Sequence, residues 1–334
     1  MTSRLATSAL AAMATVALAA CSPGSTSTSS PEAPGYPRVV ENCDREVSVS
    51  TPIERAVAIN QPATELLLSL GLADRIAAVG VSDQQVLPHL RGEFDAVDKF
   101  QEEFPALERV LDLEPDLVYS TFAYAFTQDG IGDRDRFEAL GVPTYQSPSE
   151  CGGQEAERSS ELSLEDLYAE IDDIATLFGI EEDGQELIGE LRERADAASA
   201  DLGLDDVSLA WWYSSTRAPY MAGCCGAPAL MTRAVGASNA FEDQRQLWPE
   251  ISWEAIAARD PDVLVLADLE RGDDGDSADA KIAFLESDPI TSQLTAVQNR
   301  RYIILGGTTM DPSIRNVDGI EQLADGLRDL GFVQ

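Results

Sequence analysis

Two adjacent cysteines, Cys224 and Cys225, stand in the glycine-bounded stretch GCCGAP. They could form a strained vicinal disulfide, remain two thiols or hold a soft metal. Their spacing leaves the three open, although a zinc site would lack its usual second pair of ligands. Cys43 and Cys151, at either end of what reads as a first lobe, are the economical partners for a bridge in an oxidising compartment. A single histidine, His89, disfavours His-rich metal sites and a His-centred triad, and its setting LPHLRG reads as a surface turn. Paired carboxylates could hydrolyse a substrate, but 59 acidic residues make such pairs by accident. No nucleophile elbow, metal-ligand cluster or phosphate loop accompanies them. The expectation is a protein with no catalytic residues, no metal and no cofactor. An exported hydrolase and a lipid-anchored adhesion or scaffold module remain the rival classes.

One motif is written twice. LERVLDLEPDLVY begins at Leu107 and WEAIAARDPDVLV at Trp253, each with a glutamate (Glu108, Glu254) seven residues before a proline. A glutamate in the first turn of a helix complements the helix dipole without any partner. That suffices for either residue alone and explains the matched register less well.

Charge narrows the partners. Acidic residues outnumber basic ones 59 to 23, a formal charge of -36, so nucleic acid and anionic lipid surfaces are repelled. Residues 5–20, LATSALAAMATVALAA, read as the apolar core of a signal peptide spanning 1–20. Its end, Leu18-Ala19-Ala20-Cys21, resembles the bacterial lipobox, which makes Cys21 the expected lipidated residue and the outer face of the cell membrane the expected location. Residues 21–36 begin SPGSTSTSSPEAPG after the cysteine, have little to pack, and read as a flexible tether.

The rest alternates strand and helix, the pattern of parallel, helix-covered sheets. RAVAIN is a short strand, Pro62 opens an apolar helix stopped at Gly71, and IAAVG is strand again. A helix from Pro105 ends before Pro115 and the strand Asp116 to Ser120; Val142 to Gln146 closes this first α/β lobe, residues 37–161. Leu164, Leu167, Ile171, Ile174 and Leu177 repeat at helical spacing after Ser163-x-x-Asp166, a capping-box start, giving a long connecting helix over 162–179. A charged helix over 186–200 opens the second lobe, 180–334, with strands at 208–214, 263–267 and 302–305 and helices at 228–235, 253–259 and 317–330. The fold class is therefore α/β, two Rossmann-like lobes joined by one long helix.

These blocks carry a resemblance. RAVAINQPATELLLSLGLADRIAAVG, DPDVLVL and RNVDGIEQLADGL, in this order and together with the lipobox, resemble the bilobal substrate-binding proteins of ATP-driven importers. The similar group carries ferric siderophores, haem and cobalamin, and the likeness covers roughly residues 37–332. It implies a monomeric carrier that captures a ligand in the cleft between the lobes, with modest lobe closure. Its partners would be a membrane permease and that permease's ATPase subunits. In that family each lobe presents a glutamate to basic residues of the permease, at the positions of Glu108 and Glu254.

The ligand should lie beyond the carboxyl ends of the parallel strands. Candidates there are Asn60, Gln61, Ser82, Phe122, Tyr124 and Phe126 in the first lobe. In the second they are Trp212, Tyr213, the loop Tyr220 to Pro228 with Cys224 and Cys225, Trp248, and Met310 to Arg315. Trp211 and Trp212, adjacent in a strand, cannot both face the cleft. Aromatic walls suit a bulky, flat or macrocyclic ligand. Arg217 and Arg315 are the basic groups expected nearby, too few for a strongly anionic catecholate chelate. A ferric hydroxamate or a corrinoid fits better; haem and a deazaflavin cofactor precursor, imported by relatives with similar GAP and RNV segments, stay open.

Overall fold

Two short glycine- and proline-punctuated αβ runs fold into two separate parallel sheets. The computed structural model describes residues 34–80, 85–102, 104–153 and 156–333. The expected signal peptide, Cys21, most of the tether and Ser82 lie outside the described residues.

The first lobe opens with a hairpin that no sequence signal announced, β1 (Arg38–Glu41) and β2 (Glu46–Val49). Then follow β3 (Ala56–Ala58), α1 (Gln61–Ser69), β4 (Ile76–Val79), α2 (Arg91–Ala96), α3 (Leu107–Leu111), β5 (Leu117–Ser120), α4 (Arg134–Ala139) and β6 (Thr144–Gln146). Its sheet has the order β4-β3-β5-β6, parallel throughout. Two helices come next, α5 (Leu164–Phe178) and α6 (Glu181–Ser199). The second lobe contains β7 (Ser208–Trp212), α7 (Ala227–Ala234), β8 (Ser238–Asn239), α8 (Trp253–Arg259), β9 (Val263–Asp268), α9 (Ala278–Ser287), α10 (Thr295–Gln298), β10 (Tyr302–Gly306) and α11 (Arg315–Asp329). Its order is β10-β9-β7-β8, again parallel.

The connector begins and ends as its residues dictate. Ser163 and Asp166 form the reciprocal capping box of α5, and Gly179 closes the helix in the left-handed region at φ 72°. The second helix starts five residues before the expected position, because Glu181, Glu182 and Asp183 place three carboxylates in a first turn that favours negative charge. It folds back along α5, and Gly184 makes that approach possible: a Cβ there would stand 2.5 Å from the Cβ of Ala175. At its start α5 touches the second lobe, Leu162 N donating to Cys225 O; at its end the Phe178 carbonyl accepts from Arg75 of the first. One apolar cluster runs from Ala58 and Leu67 through Ile174 and Leu191 to Trp211 and Leu323, so the core passes from lobe to lobe through the helix pair.

Candidate functional site

In both lobes the chain runs from a helix through a short turn into a strand parallel to its neighbours. The first turns of α3 and α8 therefore lie toward the carboxyl edges of the sheets, where the cleft of such a fold opens. Glu108 and Glu254 occupy those first turns and both are exposed. Glu108 sits 3.6 Å from Arg136, with both side chains largely in solvent.

Just beyond β5, Phe122 stacks on Tyr124 at 5.1 Å, and Phe104 meets Tyr124 edge-on at 5.3 Å. Tyr124 is 38% exposed. Beyond β7, Tyr213 packs against Trp248 with ring centroids 4.8 Å apart, both half-buried, and the Arg271 guanidinium lies 5.5 Å over the Tyr213 ring. Each lobe thus carries an aromatic group at the same edge of its sheet. Phe104 and Arg271 were not anticipated. Arg271 follows β9, so the rule that pointed to Tyr213 would have found it; Phe104 lies 25 residues after the end of β4, close before α3, too far along the connection for that rule to single it out.

The polar candidates Asn60 and Gln61 are buried and hydrogen-bonded within the first lobe. Asn60 ties two strand ends together, its amide donating to Thr121 Oγ1 and its Oδ1 accepting from Thr121 N. Gln61 donates to Glu65 Oε1 and to the Gln85 carbonyl, each at 3.0 Å. Glu150, buried behind the first aromatic group, accepts from Ala123 N at 2.9 Å and holds the 122–126 turn.

Three expectations are corrected. Trp212 is 1% exposed and packs with Trp253 and Phe284 in a core cluster. A strand covered by helices on both faces buries both of its alternating side chains, so Trp211 and Trp212 go to opposite cores and neither lines the cleft. Met310 is buried in the core cluster that α11 covers. Arg315 is no free cation: it grips Glu65 of the first lobe, Nε to Oε2 at 2.6 Å. Arg217 is exposed.

The cysteines fall in two places. Cys43 and Cys151 are joined, with Cα atoms 5.2 Å apart. Cys224 and Cys225 are buried side by side and pack against Leu247 and Trp248. Their loop is pinned to the connector, because Arg233 donates to both Cys224 O and Leu162 O. The two buried cysteines therefore pack against the Trp248 wall. His89 is exposed, on the 3-10 turn Pro88–Leu90. Among the described residues no group of three or more His, Cys, Asp or Glu is arranged to hold a metal ion.

Lys281 and Glu170 are among the buried ionisable groups whose pKa values are shifted. Lys281 is fully buried, donates to Ala267 O at 2.8 Å and Asp276 O at 2.6 Å, and fixes the loop after β9. Burial lowers its pKa to about 8, against the opposing pull of Asp276. Glu170, on α5, accepts from Tyr119 OH at 2.7 Å and Ser147 Oγ at 2.6 Å, which clamps the connector to the first sheet. Burial pushes its pKa up to about 7, and those two hydrogen bonds only partly offset it. A carboxyl raised from 4.5 in the unfolded chain contributes stability fully present below pH 4.5 and lost as pH rises through 7. Relative to wild type, Glu170→Gln should therefore gain up to about 3 kcal/mol of unfolding free energy between pH 4.5 and 8. Urea titrations at stepped pH would show it, and a pH-independent difference between the two proteins would refute it.

Comparison with known proteins now identifies the group. The family model described as periplasmic binding protein matches residues 57–309. The chain belongs to the periplasmic binding protein family. Among curated relatives, the vitamin B12-binding protein of Vibrio parahaemolyticus is 26% identical over 226 residues, covering 67% of this chain and 74% of that protein. Among solved structures, a periplasmic binding protein from Veillonella parvula superposes with a TM-score of 0.75 at 22% identity, covering 85% of this chain and 94% of its own. The ABC-type Fe3+-hydroxamate transport protein of Saccharomonospora viridis gives a TM-score of 0.72 at 22% identity, covering 87% and 99%. These neighbours share the bilobal fold with two parallel sheets. The chain is therefore a periplasmic-type binding protein, and the curated relatives it resembles are named as binding proteins. The family places it outside the cytoplasm, and among the described residues no helix is long and apolar enough to cross a membrane.

Proposed function

We propose that this protein is the extracytoplasmic, lipid-anchored receptor of an ABC importer, which captures a bulky, weakly charged chelate or macrocycle and delivers it to a permease. The observation that carries the reading is the pair of aromatic groups, Phe122–Tyr124 and Tyr213–Trp248, each at the carboxyl edge of its own sheet. Aromatic rings offer large rigid area at low entropic cost to a flat or macrocyclic ligand. Charge selects among such ligands. Arg315 is held by Glu65 and Arg271 is paired to Asp276 at 2.8 Å, so neither is left to neutralise a multiply charged catecholate. A ferric hydroxamate or a corrinoid suits the site best, in keeping with what its relatives are named for; haem and a deazaflavin remain to be compared with them. Membrane attachment would come from lipidated Cys21, with the protein acting as a monomer.

Trp248 is half-buried while Trp211, Trp212 and Trp253 are buried, so it is the natural reporter. Titration with cyanocobalamin, a ferric hydroxamate, a ferric catecholate, haemin and a deazaflavin should give saturable quenching by one of the weakly charged ligands, with Kd below about 10 µM and no turnover. Trp248→Phe should remove most of the signal. Tight binding of the catecholate alone, or no saturation by any of the five, would overturn this reading.

A further inference from the structure

The lobes are tied by a buried ion pair that the sequence motifs do not announce. Glu65 stands in the middle of α1 and is 0% exposed; Arg315 is the first residue of α11 and 9% exposed. They are 250 residues apart in sequence. The Glu65 carboxylate takes both Nε and Nη2 of Arg315, together with Gln61 Nε2 at 3.0 Å and Leu87 N at 3.0 Å. Arg315 Nη2 also donates to the Gln85 carbonyl at 2.6 Å. Both carboxylate oxygens are occupied and the fork geometry fixes direction as well as distance.

The position of Arg315 is itself informative. A cation at the amino end of a helix opposes the helix dipole, so α11 gains nothing locally from an arginine there. Its neighbour stiffens the same place: Asn316 donates to Thr309 O at 2.9 Å and Asp311 O at 2.8 Å, and its Oδ1 accepts from Ser313 N at 3.0 Å. The segment so braced, Pro312 to Ile314, faces Pro62 and Leu66 of α1, Thr121, and Glu170 and Ile171 of α5 across a cavity of only 10 Å³, room for about one water. Opening the lobes at this seam would strand two charges that have left water.

We propose that the Glu65–Arg315 pair is the positioning contact that sets the angle between the lobes, so that the cleft is held ready in the free protein and ligand passes by the aromatic loops at its mouth. The consequence for ligand entry rests on the carrier reading; the fixed angle does not, and it is measured without ligand. Nitroxide labels on Asp112→Cys and Gln298→Cys, exposed sites on the first and second lobes, report the inter-lobe distance in the full chain. The otherwise wild-type protein should give one narrow distance. Glu65→Gln should broaden that distribution about twofold or add a second distance, as expected when a single state gives way to an ensemble. Because a lone buried Arg315 charge can prevent folding, Glu65→Leu with Arg315→Leu is the second variant; it removes the directional tie and leaves no unpaired charge. It too should broaden the distribution while far-ultraviolet circular dichroism stays native. Either folded variant keeping the wild-type distribution overturns the proposal, as does a wild-type protein that already shows two distances. Failure of both variants to fold would make the pair a folding contact and would equally overturn it.

Discussion

Reversing Glu108 and Glu254 to lysine together should lower uptake of the ligand at least ~tenfold while leaving its capture unchanged, because charges at the edge of an interface act on encounter and register. Both residues lie in first helical turns on the cleft side of their sheets, one per lobe, and both are exposed. Loss of the dipole interaction and of the loose Glu108–Arg136 contact at 3.6 Å should cost less than about 1 kcal/mol of stability. Each single reversal should fall between, and the defect should shrink as salt screens the wild-type attraction. The measurements are fluorescence titration of the purified variants and labelled-ligand uptake by cells carrying them. A double variant that imports at the wild-type rate over a range of salt would reduce the two glutamates to ordinary helix-terminal charges.

The next largest effect concerns the bridge between Cys43 and Cys151, which closes 108 residues of sequence. Chain entropy alone would assign such a loop up to about 4.7 kcal/mol. The hairpin has a second hold on the sheet, however. Asn42 donates to Gln146 O at 2.8 Å and accepts from Gln146 N at 3.0 Å and from Arg134 Nη2 at 2.8 Å. Replacing both cysteines with serine should therefore cost about 2–4 kcal/mol rather than unfold the protein. Urea denaturation checks the size of the effect. Peptide mapping of the exported protein without reductant should recover the two cysteines in one linked fragment, and recovery of either as a free thiol would refute the bridge.

Much of the fold was legible because its signals are local. Prolines, glycines and the Ser163–Asp166 box announce helix ends, and apolar runs between them announce buried parallel strands. The hairpin over Arg38–Val49 was missed because VENCDREVSV carries little of the turn chemistry that marks a tight hairpin. The site was legible in part. Position after a parallel strand pointed to Phe122, Tyr124 and Tyr213, which the structure groups with Phe104 and Trp248. The same position did not separate Trp212 from Tyr213, one residue apart, since facing core or cleft depends on where the strand ends. Arg315 was out of reach for a different reason. Its partner Glu65 sits 250 residues away, and no sequence periodicity records a contact between helices of different lobes.

The apolar cluster that threads α5 and α6 has a consequence for how this chain can be divided. Neither lobe owns a complete interior: Ile174 of α5 and Leu191 of α6 lie in the one apolar cluster that reaches into both lobes. A fragment ending before the connector would expose the face that the helix pair covers, and a fragment beginning after it would lack the surface on which α11 rests. Although the outline suggests two modules that could be exchanged with those of a relative, the physical unit of inheritance is the whole chain. Chimeras cut between the sheets would have to carry the helical hairpin and its contacts from both parents at once.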